Sequence, residues 1–287
     1  MNILIIGSSG LVGGNLYNVC NNTNIFNKVI GTHLNYPTSG SIYFDPSKGI
    51  PQEIENKRWD VIVHTGALTH VDKCEEEVDL SYKLTVNSTE KLLDFAKNNN
   101  SKFVYLSTDY VFDGLSGPYT EASETNPLNT YGKHKLISEE MVSAYSNSLI
   151  IRITNVYGEE IRNKNFIARI LESLKGEGII EVQAPIDQFA TPVNANDVAR
   201  AIVALVKDDK TGTYHISSTD FMSRVQLLQQ INKVFNNRII IRSVETSNLN
   251  QAAVRPLNGG LLAIKFMNEY PDFIFSNVSD YLRQHNK

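Results

Sequence analysis

Cysteine is scarce in this 287-residue chain: Cys20 and Cys74 are the only two, with no Cys-x-x-Cys spacing. A disulfide framework and a zinc site are therefore not expected, and no metal is predicted. Excess positive charge is lacking too. The net charge is −4 and the 27 Lys and Arg residues form no long run, which makes nucleic acid an unexpected partner. No apolar run approaches the roughly 20 residues of a membrane span. The opening Met-Asn-Ile-Leu-Ile-Ile-Gly has neither a basic flank nor a cleavage site. No membrane association is expected, and the cytoplasm is the expected location. Internal repeats and low-complexity tracts are also missing.

What the chain does have is alternation. Short apolar runs at Ile3–Ile6, Lys28–Gly31, Val61–His64, Lys102–Ser107 and Ser148–Ile153 are separated by amphipathic stretches at Leu11–Asn21, Leu80–Asn98 and Tyr131–Tyr145. Runs that are apolar on both faces suit parallel strands covered by helices on both sides. The expected fold class is α/β, a Rossmann-type doubly wound parallel sheet with a smaller C-terminal substrate-binding lobe. Residues 1–157 are expected to form the dinucleotide-binding domain, with segments near 190–217 returning to it, and residues 158–287 mainly the second lobe.

The first strand runs into Gly7-Ser8-Ser9-Gly10-Leu11-Val12-Gly13 and then a helix. Glycines at this spacing let the backbone turn tightly and let a diphosphate approach the free N–H groups of the helix start. A glycine-rich turn is common, but between a strand and an amphipathic helix it meets the context expected of a dinucleotide site. The second strand ends Gly31-Thr32-His33-Leu34 without the acid that would bind a ribose 2′-hydroxyl. NADP(H) is therefore the preferred cofactor, with NAD(H) left open, and His33 is a candidate phosphate contact or a plain loop histidine.

Tyr131 and Lys135 form the sole Tyr-x-x-x-Lys pair. Chance alone would supply about 0.8 such pairs at this composition, so context must decide. Four apart on a helix, the ammonium and the phenol share a face. Bringing a phenol from about pH 10 toward neutrality takes about 4 kcal/mol, which a nearby ammonium and a cationic nicotinamide could supply. Thr108, at the end of the buried run from Lys102, stands where a parallel strand opens onto a ligand crevice and can donate to a substrate carbonyl; a turn-forming Ser-Thr-Asp cluster is the structural alternative. Trp59, His64 and His215 are expected in the core, and Glu75-Glu76-Glu77 on a solvated helix face.

These residues resemble the extended short-chain dehydrogenase/reductases, more closely the dTDP-4-dehydrorhamnose reductase branch, which also takes in the regulatory beta subunit of methionine adenosyltransferase. The similar stretches are GSSGLVG from Gly7, HTGALTHVDKCE from His64, Val86-Asn87, STDYVFDG from Ser107 and GPYTEASETNPLNTYGKHKLISEE from Gly117. RITNVYG from Arg152, DQFATPVNANDVA from Asp187 and RPLNGGL from Arg255 complete the series across nearly the whole chain. The resemblance implies Thr108, Tyr131 and Lys135 as the catalytic set, with Lys135 also holding the nicotinamide ribose. It implies Gly7, Gly10, Leu11 and Val12 under the diphosphate, Asp45 near the adenine, and Gly66 and Ala67 along the cofactor. Val71, Asp72, Asp109 and Tyr110 would face the sugar, Asn87 would support its helix, and Arg255 would clamp the nucleotide diphosphate. Asn155 departs from the tryptophan of the rhamnose-forming reductases, so a different sugar contact is expected there.

The activity so implied is NAD(P)H-dependent reduction of a nucleotide-linked 4-keto-6-deoxysugar, with a nucleotide-sugar substrate and a homodimer left open. The alternative is a non-catalytic NADP-binding regulatory subunit. An epimerase or dehydratase is a weaker third: a dehydratase would want an acid beside the catalytic hydroxyl, and Asp109, which stands there, is shared with the reductase-like pattern.

Overall fold

The computed structural model describes residues 1–286. Its strands are β1 (Asn2–Ile6), β2 (Lys28–His33), β3 (Ile42–Tyr43), β4 (Val61–His64), β5 (Lys102–Thr108), β6 (Ser148–Ile153), β7 (Ile180–Pro185), β8 (Phe189–Ala190), β9 (Gly212–His215), β10 (Met222–Ser223) and β11 (Ile239–Val244). The helices are α1 (Leu11–Asn21), α2 (Gln52–Glu55), α3 (Val71–Glu76), α4 (Val78–Tyr82), α5 (Ser88–Asn99), α6 (Thr130–Ser143), α7 (Phe166–Ser173), α8 (Ala195–Lys207), α9 (Arg224–Val234), α10 (Ile264–Glu269) and α11 (Val278–Gln284).

Seven strands form one parallel sheet in the order β3-β2-β1-β4-β5-β6-β9. The alternation of side chains along each strand explains why the runs are apolar throughout. Ile3, Ile5, Val61, Val63, Leu149 and Ile151 pack on one face against α1 and α8. Their neighbours Leu4, Ile6, Ile62, Phe103, Tyr105 and Ile150 pack on the other against α5 and Val142 of α6. The chain order reverses between β1 and β4, which opens the crevice where a doubly wound sheet holds its ligand.

Residues after 158 alternate between the sheet and a separate cluster. β9 extends the sheet beside β6, and α8 covers it. α7, β7, α9, β11 and α11 share their own core around Ile167, Leu228, Ile231 and Leu282, with β7 and β11 paired in parallel. No helix among the described residues is long and apolar enough to cross a membrane.

The structure corrects one expected element. The stretch expected as one helix over 80–98 comprises α4, a π turn at Lys83–Asn87 and α5. Trp59 lies in the core as expected, its Nε1 donating to the Ile54 carbonyl at 2.9 Å.

Candidate active site

A cleft of about 960 Å³ opens along the C-terminal ends of β1, β4, β5 and β6, and the second lobe forms its far wall. That volume suits a dinucleotide-sized ligand. At one end lies the Gly7–Gly13 loop. Gly7 takes φ +85°, and a Cβ on Gly13 would stand 2.3 Å from the Gly7 carbonyl oxygen, so the turn has no room for side chains. α1 starts at Gly10 with no side-chain cap and no acid in its first turn. Its first N–H groups are thereby left for an anion.

The groups expected to carry the chemistry meet in the middle of the cleft. Asn129 caps α6, its side chain accepting from the Gly132 N–H at 2.9 Å while donating to the Val254 carbonyl at 2.7 Å. A Cβ on Gly132 would stand 2.2 Å from the Tyr110 carbonyl oxygen, so glycine lets the first turn of α6 close on the end of β5. Tyr131 is thereby buried against Tyr110, ring centroids 5.6 Å apart and edge-on. One turn on, Lys135 Nζ donates to the Leu106 carbonyl at 2.5 Å and lies 4.0 Å from the centre of the Tyr105 ring.

Burial dominates the electrostatics of this pair. It drives the Tyr131 phenol up, opposed by the Thr108 hydroxyl, and pushes the Lys135 ammonium down to about 7, opposed by Glu139. Without the cationic nicotinamide, desolvation outweighs the attraction of the protein's own groups for the phenolate. His64 lies in the core as expected, but its hydrogen bonding is incomplete. Its Nε2 is 3.3 Å from Ser88 Oγ, but its buried Nδ1 has no partner among the described residues. Burial and Lys135 hold it neutral by pushing it down to about 3. The buried Ser107 hydroxyl also lacks a partner, and both residues line the cleft. Such orphaned polar atoms beside a side-chain-free glycine turn fit a polar dinucleotide.

Gly66, Ala67, Val71, Asp72, Tyr110 and Asn155 line the cleft with the residues already named. Asp45 does not: its neighbours Phe44 and Pro46 line the cleft, while its carboxylate accepts from the Ser47 N–H at 2.8 Å. His33 lines the cleft with its Nδ1 2.6 Å from Ser41 Oγ. Thr108 Oγ1 donates to Asp109 Oδ1 at 3.3 Å. Asp109 is buried, its Oδ2 accepting from Thr154 Oγ1 at 2.6 Å and from the Gly260 N–H at 3.4 Å. Arg255, expected as the diphosphate clamp, is engaged by Asp72 at 2.7 Å and by the Ala253 carbonyl at 3.0 Å. Glu75, expected in solvent, accepts from the Thr130 N–H at 2.9 Å.

Arg224 lines the same cleft as Arg255. It is half-buried, lies over the Phe166 ring at 4.4 Å and donates to Asn155 Oδ1 at 3.1 Å. No carboxylate stands within ion-pair distance of it or of Arg169, another cleft residue, among the described residues. Sequence reasoning missed both, because an isolated arginine on an amphipathic helix carries no motif.

Residues 1–273 match the family described as RmlD substrate binding domain. The chain is 32% identical over 226 residues to the dTDP-4-dehydrorhamnose reductase of Escherichia coli K12, covering 75% of this chain and 72% of that protein. It is 28% identical over 247 residues to mouse methionine adenosyltransferase 2 subunit beta, covering 82% and 72% respectively. A solved dTDP-4-dehydrorhamnose reductase from Clostridium acetobutylicum superposes with a TM-score of 0.87 at 27% identity, over 99% of this chain and 98% of that one.

Proposed function

The chain belongs to the RmlD substrate binding domain family, within the dTDP-4-dehydrorhamnose reductase branch of the extended short-chain dehydrogenase/reductases, and on that footing we propose how it works. It is an NAD(P)H-dependent oxidoreductase that reduces the ketone of a nucleotide-linked 4-keto-6-deoxysugar, with NADPH the preferred donor. The absence of an acid at the end of β2 supports that preference.

When bound, the nicotinamide supplies the hydride; the protein supplies the proton and the alignment. Tyr131 protonates the oxygen that develops negative charge, and the Thr108 hydroxyl, facing the same space, orients the carbonyl. Lys135 brings positive charge to the phenol, in proportion to how far a bound anion restores its proton. Gly7, Gly10, Leu11 and Val12 cradle the diphosphate, and Gly66 and Ala67 border the dinucleotide. On the sugar side Arg224 and Arg169 face the nucleotide diphosphate, and Asn155, held by Arg224, replaces an aromatic contact with an amide. The two cysteines are buried and free, which supports a cytoplasmic setting.

The observation that carries this proposal is the meeting of Tyr131, Lys135 and Thr108 on one wall of the cleft. A regulatory subunit would need the cleft but not the phenol. Tyr131→Phe removes that one oxygen. With a dTDP-linked 4-keto-6-deoxysugar and NADPH, turnover should fall by about 10²–10⁴-fold while cofactor affinity stays unchanged. A wild type that oxidises no NADPH with any 4-keto sugar nucleotide would instead support the regulatory alternative.

A further inference from the structure

A second cavity of about 290 Å³ adjoins the cleft beyond the start of α1. Ser9, Tyr36, Pro37 and Thr38 bound it on the sheet side, and Ile161, Arg162 and Lys164 bound it on the other. The last three belong to a strap, residues 158–165, that crosses from the second lobe. The strap is fixed at its ends and along its length. Asn165 caps α7 through the Ala168 N–H at 3.0 Å and donates to the Gly158 carbonyl at 3.0 Å. Asn15 of α1 donates to the Glu159 carbonyl at 2.9 Å, and the Lys164 N–H donates to Glu160 Oε1 at 2.8 Å.

The charge on this strap is only partly matched. Arg162 meets Glu160 at 3.8 Å, outside hydrogen-bond range, and its buried Nε has no hydrogen-bond partner among the described residues. Lys164 has no carboxylate within ion-pair distance among them; its Nζ donates to the Tyr36 hydroxyl at 3.1 Å and holds that phenol below its ordinary range. Of the strap's two acids Glu159 is turned to His285, so at the cavity Arg162 and Lys164 meet one carboxylate, Glu160, beside the N-terminus of α1.

Its position narrows the anion. The cofactor diphosphate belongs at the glycine turn, whereas the end of β2 is where a Rossmann domain meets the adenosine ribose. A 2′-phosphate there calls for a nearby cation. The loop after β2 provides none, since no Lys or Arg occurs between Lys28 and Lys48. Here Lys164 reaches Tyr36, in the loop after β2, from 128 residues further along the chain, and Arg162 lies over the same ring at 5.5 Å.

We infer that the strap over residues 158–165 forms the 2′-phosphate pocket of the cofactor site, with Arg162 and Lys164 as the residues that select NADPH over NADH. This rests on the proposal that the cleft binds a nicotinamide dinucleotide. The test is titration of the full chain with NADPH, NADH, adenosine 2′,5′-bisphosphate and 5′-AMP, for wild type, Arg162→Gln and Lys164→Gln. Each variant should bind NADPH and the bisphosphate about tenfold more weakly, with NADH and 5′-AMP changed by less than about twofold. The wild-type preference should also shrink as salt is raised. Equal weakening of both dinucleotides would put the cations on the shared diphosphate and overturn the inference, as would no change in either. Turnover of a 4-keto sugar nucleotide is scored separately: its absence alongside the selective NADPH loss would sink the reductase proposal and leave the pocket standing.

Discussion

Lys135→Met exposes what it costs to bury the Lys135 ammonium. Lysine ordinarily titrates near 10.4, and burial pushes this one to about 7. At about 1.4 kcal/mol per unit, the native state carries a penalty on the order of 4–5 kcal/mol wherever the unfolded chain is charged and the folded site must follow. Between about pH 7 and pH 10 the unfolded chain binds this proton and the folded one does not, so stability rises with pH across that window. Below the window both states are protonated and the penalty is complete. A methionine side chain in its place would fill a similar volume without titrating. The lost hydrogen bond to the Leu106 carbonyl adds an offset that does not vary with pH. The assay is urea unfolding of both proteins without cofactor, because a ligand bound to the native state would add its own term. The wild-type minus variant difference should climb by about 1.4 kcal/mol per pH unit from about pH 7.5 to 9.5. Other titrating groups are common to both proteins and cancel. Parallel curves across that range would show that Lys135 keeps its ordinary proton affinity and that its burial is not felt.

Gly13→Ala places a Cβ 2.3 Å from the Gly7 carbonyl oxygen, so the strand-to-helix turn must move. Thermal melts should show a loss of about 1–3 kcal/mol and titrations an equal loss for NADPH and NADH; an unaltered melt with unaltered affinity would displace the diphosphate from this loop. Arg224→Gln should raise KM for the nucleotide sugar about tenfold or more, a charge-assisted contact being lost, with cofactor affinity unchanged. An unchanged KM in steady-state kinetics would assign the guanidinium a purely structural part beside Phe166 and Asn155.

What was legible in the sequence is what local chemistry dictates. Strands buried on both faces must be largely apolar, and Ile3–Ile6 and Val61–Val63 are. A turn that admits no Cβ must be glycine, and Gly7 and Gly13 are. Tyr131 and Lys135 could be paired because helix geometry fixes positions four apart. Illegible were features decided by distant partners. The π turn at Lys83–Asn87 interrupts a stretch whose helical periodicity simply continues. β8 and β10 are two residues each and exist only because Phe189–Ala190 meets Met222–Ser223 across the fold. Arg255 looked free beside a proline, yet its partner Asp72 stands 183 residues away.

That last pair, with Asp109, shows how the two halves of the chain divide the work. Asp72 accepts from Arg255 and from the Ala253 N–H at 3.0 Å, so it binds the segment after 252 to the start of α3. Asp109, whose carboxyl burial drives above its usual range, reaches the Gly260 N–H of the same segment and the Thr154 hydroxyl at the end of β6. Both acids, expected on the sugar, are thus engaged in bracing the wall that carries Thr108 and Tyr131. Bracing matters because a proton donor must stay within hydrogen-bond reach of the oxygen it serves. On that wall Arg255 and Asp72 answer one another, and burial pushes Lys135 down to about 7. Arg162, Lys164, Arg169 and Arg224 line the rest of the cleft.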